Sequence, residues 1–164
     1  MRISTRYAAA WLLLALFTAP TSLTAQKRAP NIDGAWRWVR TDVVSPDSTY
    51  HLAGWPGISI VSHGYFSQMH VNPSGAVQQA SQPTTAEQKA ARYDALLARA
   101  GTLELRDTLL VGHILHSTDP TAVGTTVTAG WRLRGDTLWQ TNVERWEKDS
   151  TKTARFTYVF VRQR

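Results

Sequence analysis

The chain of 164 residues contains no cysteine. That absence excludes a thiolate nucleophile, a cysteine-ligated zinc or iron–sulfur centre, and any disulfide framework. Packing alone must hold the fold together. No apolar run approaches the roughly 20 residues that a membrane-spanning helix needs. Lysine and arginine are scattered, without a basic cluster or an aromatic–basic motif, so nucleic-acid binding is not expected. Nor is there a Gly-x-Ser-x-Gly elbow, a P-loop or a Gly-x-Gly-x-x-Gly loop, which removes the usual marks of hydrolase and nucleotide chemistry.

What is present begins with a leader. Arg2 and Arg6 precede an apolar stretch at residues 8–17, and Leu23-Thr24-Ala25 supplies small residues before Gln26. This is the pattern of an export signal, with cleavage expected after Ala25. It implies a periplasmic or secreted protein. No cysteine follows the stretch, so no lipoprotein anchor, and no other stable membrane anchor, is expected. Residues 1–25 are therefore read as signal peptide, 26–31 as a flexible arm and 32–164 as a single domain. Removing Arg2 and Arg6 from 18 basic residues leaves 16 against 12 acidic ones, a moderate positive balance of the kind a soluble surface carries.

The domain reads as strand after strand. Residues 33–41 alternate, placing Trp36, Trp38 and Arg40 on one face. Residues 44–56 carry Pro, Ser and Gly and read as a long loop at a barrel mouth. A hairpin is expected around His63-Gly64, then a polar loop over 72–83. Thr84 and Glu87 have capping-box spacing and predict the only helix, running to Gly101. Residues 102–106 and 109–117, 125–134 and 137–145, and finally 154–162 complete about eight strands. Short hairpins between them favour a closed, antiparallel, up-and-down barrel over a Greek-key sandwich. The predicted class is thus all-β, about eight strands, with one helix inserted midway.

Several short segments carry a family resemblance. They are Gly34-Ala35-Trp36-Arg37-Trp38-Val39, His63-Gly64-Tyr65-Phe66-Ser67-Gln68-Met69, and Val111-Gly112-His113-Ile114-Leu115-His116-Ser117. A turn at residues 120–124 and Trp131-Arg132-Leu133-Arg134-Gly135-Asp136-Thr137-Leu138 complete the set. In order and spacing they resemble the bacterial and fungal lipocalin-like domain family of the calycin group, over residues 32–162. Two departures are the His63 that replaces an Asp before Gly, and paired histidines split by Ile114-Leu115. The resemblance implies a cup-shaped barrel whose interior takes a small molecule. It also implies that Gly34 turns the chain into the first strand and that Trp36 plugs the closed end.

Alternation then sorts candidate site residues. Val127, Ala129, Trp131 and Leu133 form one apolar face, and Phe156, Tyr158 and Phe160 another. Arg162 shares the latter face and is placed to stack on Trp36 at the floor. Arg40 is a candidate carboxylate binder if it lies near the open end. His113 follows Leu109 and Val111 and is expected to point inward, with His116 outward. Such a pair on a strand cannot chelate one metal, so no metal or cofactor is expected. Only convergence of His63 and His70 on His113 would revive a haem or metal site. The expected ligand-binding set is Trp38, Arg40, Met69, His113, Trp131, Phe156 and Tyr158, with Gly34, Trp36 and Arg162 closing the barrel. Whether Tyr65, Ser67 and Met69 or Phe66, Gln68 and His70 face inward is open.

The function expected is binding of a small apolar or amphipathic molecule. Two alternatives stand beside it. One is a cofactor-free isomerase or hydratase using His113 as general acid or base. The other is an envelope interaction protein with a filled core.

Overall fold

The alternating pattern turns nearly the whole domain into one antiparallel sheet that closes on itself. The computed structural model describes residues 30–73, 85–146 and 149–164. Its strands are β1 (Gly34–Val44), β2 (Thr49–Ala53), β3 (Gly57–Ser62), β4 (Tyr65–Val71), β5 (Leu96–Arg106) and β6 (Leu109–Ser117). Then follow β7 (Thr126–Arg134), β8 (Thr137–Trp146) and β9 (Asp149–Arg162), with helix α1 (Ala86–Asp94) between β4 and β5. β2 and β3 lie end to end along β1, β2 against Arg40–Val44 and β3 against Gly34–Trp36. Nine segments therefore make eight staves. From β3 onward each strand pairs with the next, and β9 returns to pair with β1, which closes the barrel. This is the up-and-down, eight-stave, lipocalin-like architecture expected from the sequence.

The two ends differ. The hairpins at His63-Gly64, Asp107-Thr108 and Gly135-Asp136 gather at one end, where Gly34 also begins β1. That end is plugged by the core of Ile32, Trp36, Val61, Leu110, Leu138 and Phe160, with Leu103, Leu105, Trp131 and Leu133 packed against it. Trp36 donates its Nε1–H to the Ile32 carbonyl at 2.9 Å. The Arg162 guanidinium lies 4.3 Å from the Trp36 ring centroid and donates to the Asp33 and Asn31 carbonyls. Gly34 has φ +137°, and a Cβ there would collide with the Arg162 guanidinium. One cation–π stack and three hydrogen bonds thus pin residues 31–36 beneath the floor. α1 lies at the other end, between the end of β4 and the start of β5.

Several elements differ from the sequence reading. The expected loop over 44–56 is broken by strand: β1 runs to Val44, Ser45–Ser48 turns, and β2 then occupies Thr49–Ala53. The helix ends at Asp94, because Leu96, Leu97 and Gly101 belong to β5, opposite β4. Its N-cap is Thr85, whose side chain accepts from the Gln88 N–H while Gln88 caps in return. The expected cap Thr84, the signal peptide, residues 26–29 of the arm and most of the 72–83 loop lie outside the described residues.

Candidate functional site: the barrel interior

Inside the barrel is a cavity of about 490 Å³. Its floor is apolar: Trp36, Val61, Leu103, Leu110, Leu138 and Phe160. Its upper wall is polar, with Gln68, His70, Arg99, Gln140, Asn142 and Tyr158, and Glu144 at the rim. Strand alternation produces this sorting. β8, for example, sends Leu138, Gln140, Asn142 and Glu144 inward in that order, running from the floor to the mouth.

Trp38 organises one side of the cavity. Its ring centroid lies 5.5 Å from those of Trp55 and Tyr158, 5.6 Å from that of His70 and 6.4 Å from that of Phe160. Tilted and edge-on arrangements of this kind are favoured by the ring quadrupoles. Its Nε1–H reaches the Arg40 carbonyl at 3.0 Å and the Thr41 hydroxyl at 3.1 Å. Those bonds span a bulge: in the β1–β9 ladder Trp38 pairs with Phe160 and Arg40 with Val159, leaving Val39 extra. An extra residue reverses the inward phase of the strand. Trp36 and Trp38 therefore point in, and beyond the bulge Thr41 and Val43 are the buried residues.

Arg40 consequently faces solvent. It pairs with Asp42 at 2.8 Å, and Asp42 also meets His51 at 2.7 Å. Both partners hold the Asp42 carboxyl below the usual carboxylate range, Arg40 most strongly. The carboxylate-binding role expected for Arg40 has no geometric basis, because the bulge turns its side chain away from the cavity.

His113 and Met69 are also corrected. In β6 the inward residues are Leu110, Gly112 and Ile114, while Leu109, His113 and Leu115 are exposed. Both rows of that strand are apolar enough to mislead, and the row with the deeper packing is the one sequence reading did not choose. In β4, Phe66, Gln68 and His70 point in, leaving Met69 54% exposed. Trp131 packs against the floor core yet does not line the cavity. Trp38, Phe156 and Tyr158, by contrast, all line it. His63 sits in a closed-end hairpin, His70 faces inward and His113 outward, so the three do not converge. Among the described residues, no three His, Asp or Glu side chains are grouped to hold a metal ion.

Interior residues outside the expected set include Trp55, Ser59, His70 and Arg99. Trp55, in the link between β2 and β3, stacks on Trp38 and lines the cavity. Ser59 is buried, its hydroxyl 2.9 Å from His70 Nε2. Burial pushes His70 below the ordinary imidazole range, and the Arg99 charge adds to this. The Trp55 backbone works the other way, without a well-formed hydrogen bond to Nδ1. Arg99 faces inward from β5 and donates Nε–H to the Gln68 amide oxygen at 2.6 Å. Alternation from Leu97 to Leu105 carries it, but the helical spacing that runs up to Gly101 hides the first half of that strand.

The chain is similar to two solved structures. One is a lipocalin-like protein from Bacteroides uniformis ATCC 8492, 12% identical, with a TM-score of 0.45 over 80% of this chain and 97% of that one. The other is an uncharacterised protein from Bacteroides eggerthii DSM 20697, 13% identical, with a TM-score of 0.44 over 81% of this chain and all of that one. No family model and no curated protein matches the chain.

Proposed function

We propose that this chain is an exported binding protein that holds one small amphipathic molecule inside its barrel. The observation that carries this reading is the two-ended cavity of about 490 Å³, apolar at the floor and polar below the mouth. That volume lies within the range of about 300–1,000 Å³ typical of small-molecule sites, which weighs against a filled core. Export rests on the leader, and N-terminal analysis of protein from the periplasm or culture fluid should find Gln26 first. Retention of residues 1–25 would contradict it.

Trp38 and Trp55 line the cavity, so an occupant should change tryptophan emission. Titration with a panel of lipids and aromatic compounds is expected to give a saturable, one-to-one change. Absence of saturation with every compound would overturn the binding reading.

A second reading is an enzyme, with His70 taking the place of the solvent-facing His113. Its support is the buried Ser59–His70 hydrogen bond, the arrangement by which a histidine activates a serine. Reaction with a fluorophosphonate, followed by intact mass, separates the two readings. The binding reading predicts no adduct; an adduct on Ser59 that disappears in His70→Gln would favour the enzyme.

A further inference from the structure

Arg99 is a cation built into the cavity wall without an anion. It projects from β5 near the mouth, half-buried, above the apolar floor. Its hydrogen bond goes to the neutral Gln68 amide, and among the described residues no carboxylate forms an ion pair with it. Among the described residues, the only carboxylate lining the cavity is Glu144, which is exposed at the rim and accepts instead from Asn142. Taking a guanidinium partly out of water without a counter-charge costs stability, unless something else supplies that charge. Two further donors face the same space, the Tyr158 hydroxyl and the Gln68 amide NH₂. Here one amide oxygen fixes Nε, leaving the remaining guanidinium N–H groups for a planar acceptor.

We propose that the occupant of this barrel is an apolar molecule carrying one carboxylate, which Arg99 binds while the rest of the molecule lies on the aromatic floor. This deepens the binding reading and rests on it. The carboxylate sits beside the Gln68–Arg99 pair and Tyr158. The body extends past Trp38 toward Phe160 and Leu138. Aliphatic and aromatic bodies share the head-group chemistry, and the test distinguishes them.

The test titrates the full chain with two matched pairs, decanoate against 1-decanol and 2-naphthoate against 2-naphthylmethanol, following tryptophan emission at neutral pH. At least one acid is expected to bind about tenfold or more tighter than its alcohol, as a charge-assisted hydrogen bond provides. The pair with the larger preference identifies the body. In Arg99→Gln the acid should lose that advantage while the alcohol binds as before, and Arg99→Lys should restore part of it. Equal affinity of acid and alcohol in the wild-type protein would overturn the head-group assignment and leave the binding barrel standing. Failure of all four compounds to bind would overturn both. Thermal unfolding without ligand supplies an independent readout. Arg99→Met should unfold at a higher temperature than wild type, because it removes an uncompensated cation. A lower temperature would mark Arg99 as structural and count against the proposal.

Discussion

Trp36 sits at the centre of the floor core. It is 1% exposed, donates to the Ile32 carbonyl and carries the Arg162 guanidinium on its face. Trp36→Ala should therefore cost about 3–5 kcal/mol, the range for large aromatic truncations in a core. Trp36→Phe keeps much of the packing but loses the hydrogen bond, and should cost about 1 kcal/mol for that bond in addition to the lost ring area. Urea unfolding at constant slope measures both. His70 makes a different prediction. Its imidazole titrates below the ordinary value in the folded state, burial being the main cause. Above pH of about 6.5 the ring is neutral in both states, and its contribution to stability is fully present. As pH falls below that value the unfolded chain takes up a proton first, so stability declines until the folded-state value is passed. Asp42 behaves in the same sense at lower pH: the loss begins as pH falls into the usual carboxylate range, where the unfolded chain protonates, and is complete below the lowered folded-state value. The melting temperature should thus fall between pH 7 and the folded-state value, and fall less in His70→Gln. An unchanged slope in that variant would contradict the assignment.

Hairpins were legible from sequence where one face of a strand is plainly apolar and the turn chemistry is unambiguous. Leu133 and Leu138, which do pair across the β7–β8 hairpin, are such a case, with Arg134-Gly135-Asp136 between them. Three things hid the rest. β6 is apolar on both faces, so Leu109 and Leu115 compete with Leu110 and Ile114, and alternation alone cannot choose between them. The run Thr84-Thr85-Ala86-Glu87-Gln88 offers two capping boxes one residue apart, and the chain uses the second. The Val39 bulge is set by tertiary contacts, since the Gly54 N–H bonds the Val39 carbonyl at 3.0 Å. A local pattern cannot reveal such a partner. That bulge turns Arg40 outward, and the inward Arg99 lies in a stretch whose pattern also fits the end of a helix, so the candidate site was less legible than the fold. It also yields a test. A Cβ at Gly54 would come within 2.2 Å of the Trp38 carbonyl oxygen. Gly54→Ala should therefore destabilise by about 2 kcal/mol, a typical overpacking cost, and disturb the Trp38–Trp55 stack. Near-ultraviolet circular dichroism and urea unfolding should change together; a variant with wild-type stability would argue against this packing.

At the scale of the molecule, β1–β9 pairing over Trp36–Val44 closes the sheet and leaves, among the described residues, only the short strand β2 with an unpaired edge of the kind that templates aggregation. Closure also encloses the cavity, so the barrel's shape and its cavity depend on the same ladder. The outer wall still carries apolar side chains, including Ile60 and Met69, but scattered surface apolar residues are ordinary. A ligand that binds only the closed barrel must stabilise it by mass action, by about 2.7 kcal/mol at a hundred times its dissociation constant. The most direct measurement is native mass spectrometry of the protein mixed with the decanoate and naphthoate pairs. A barrel whose cavity runs from an apolar plugged floor to a polar upper wall predicts a one-to-one complex that is lost on denaturation, with an acid outcompeting its alcohol. A bare protein mass throughout, with every compound at millimolar concentration, would contradict the claim that this interior is a binding site.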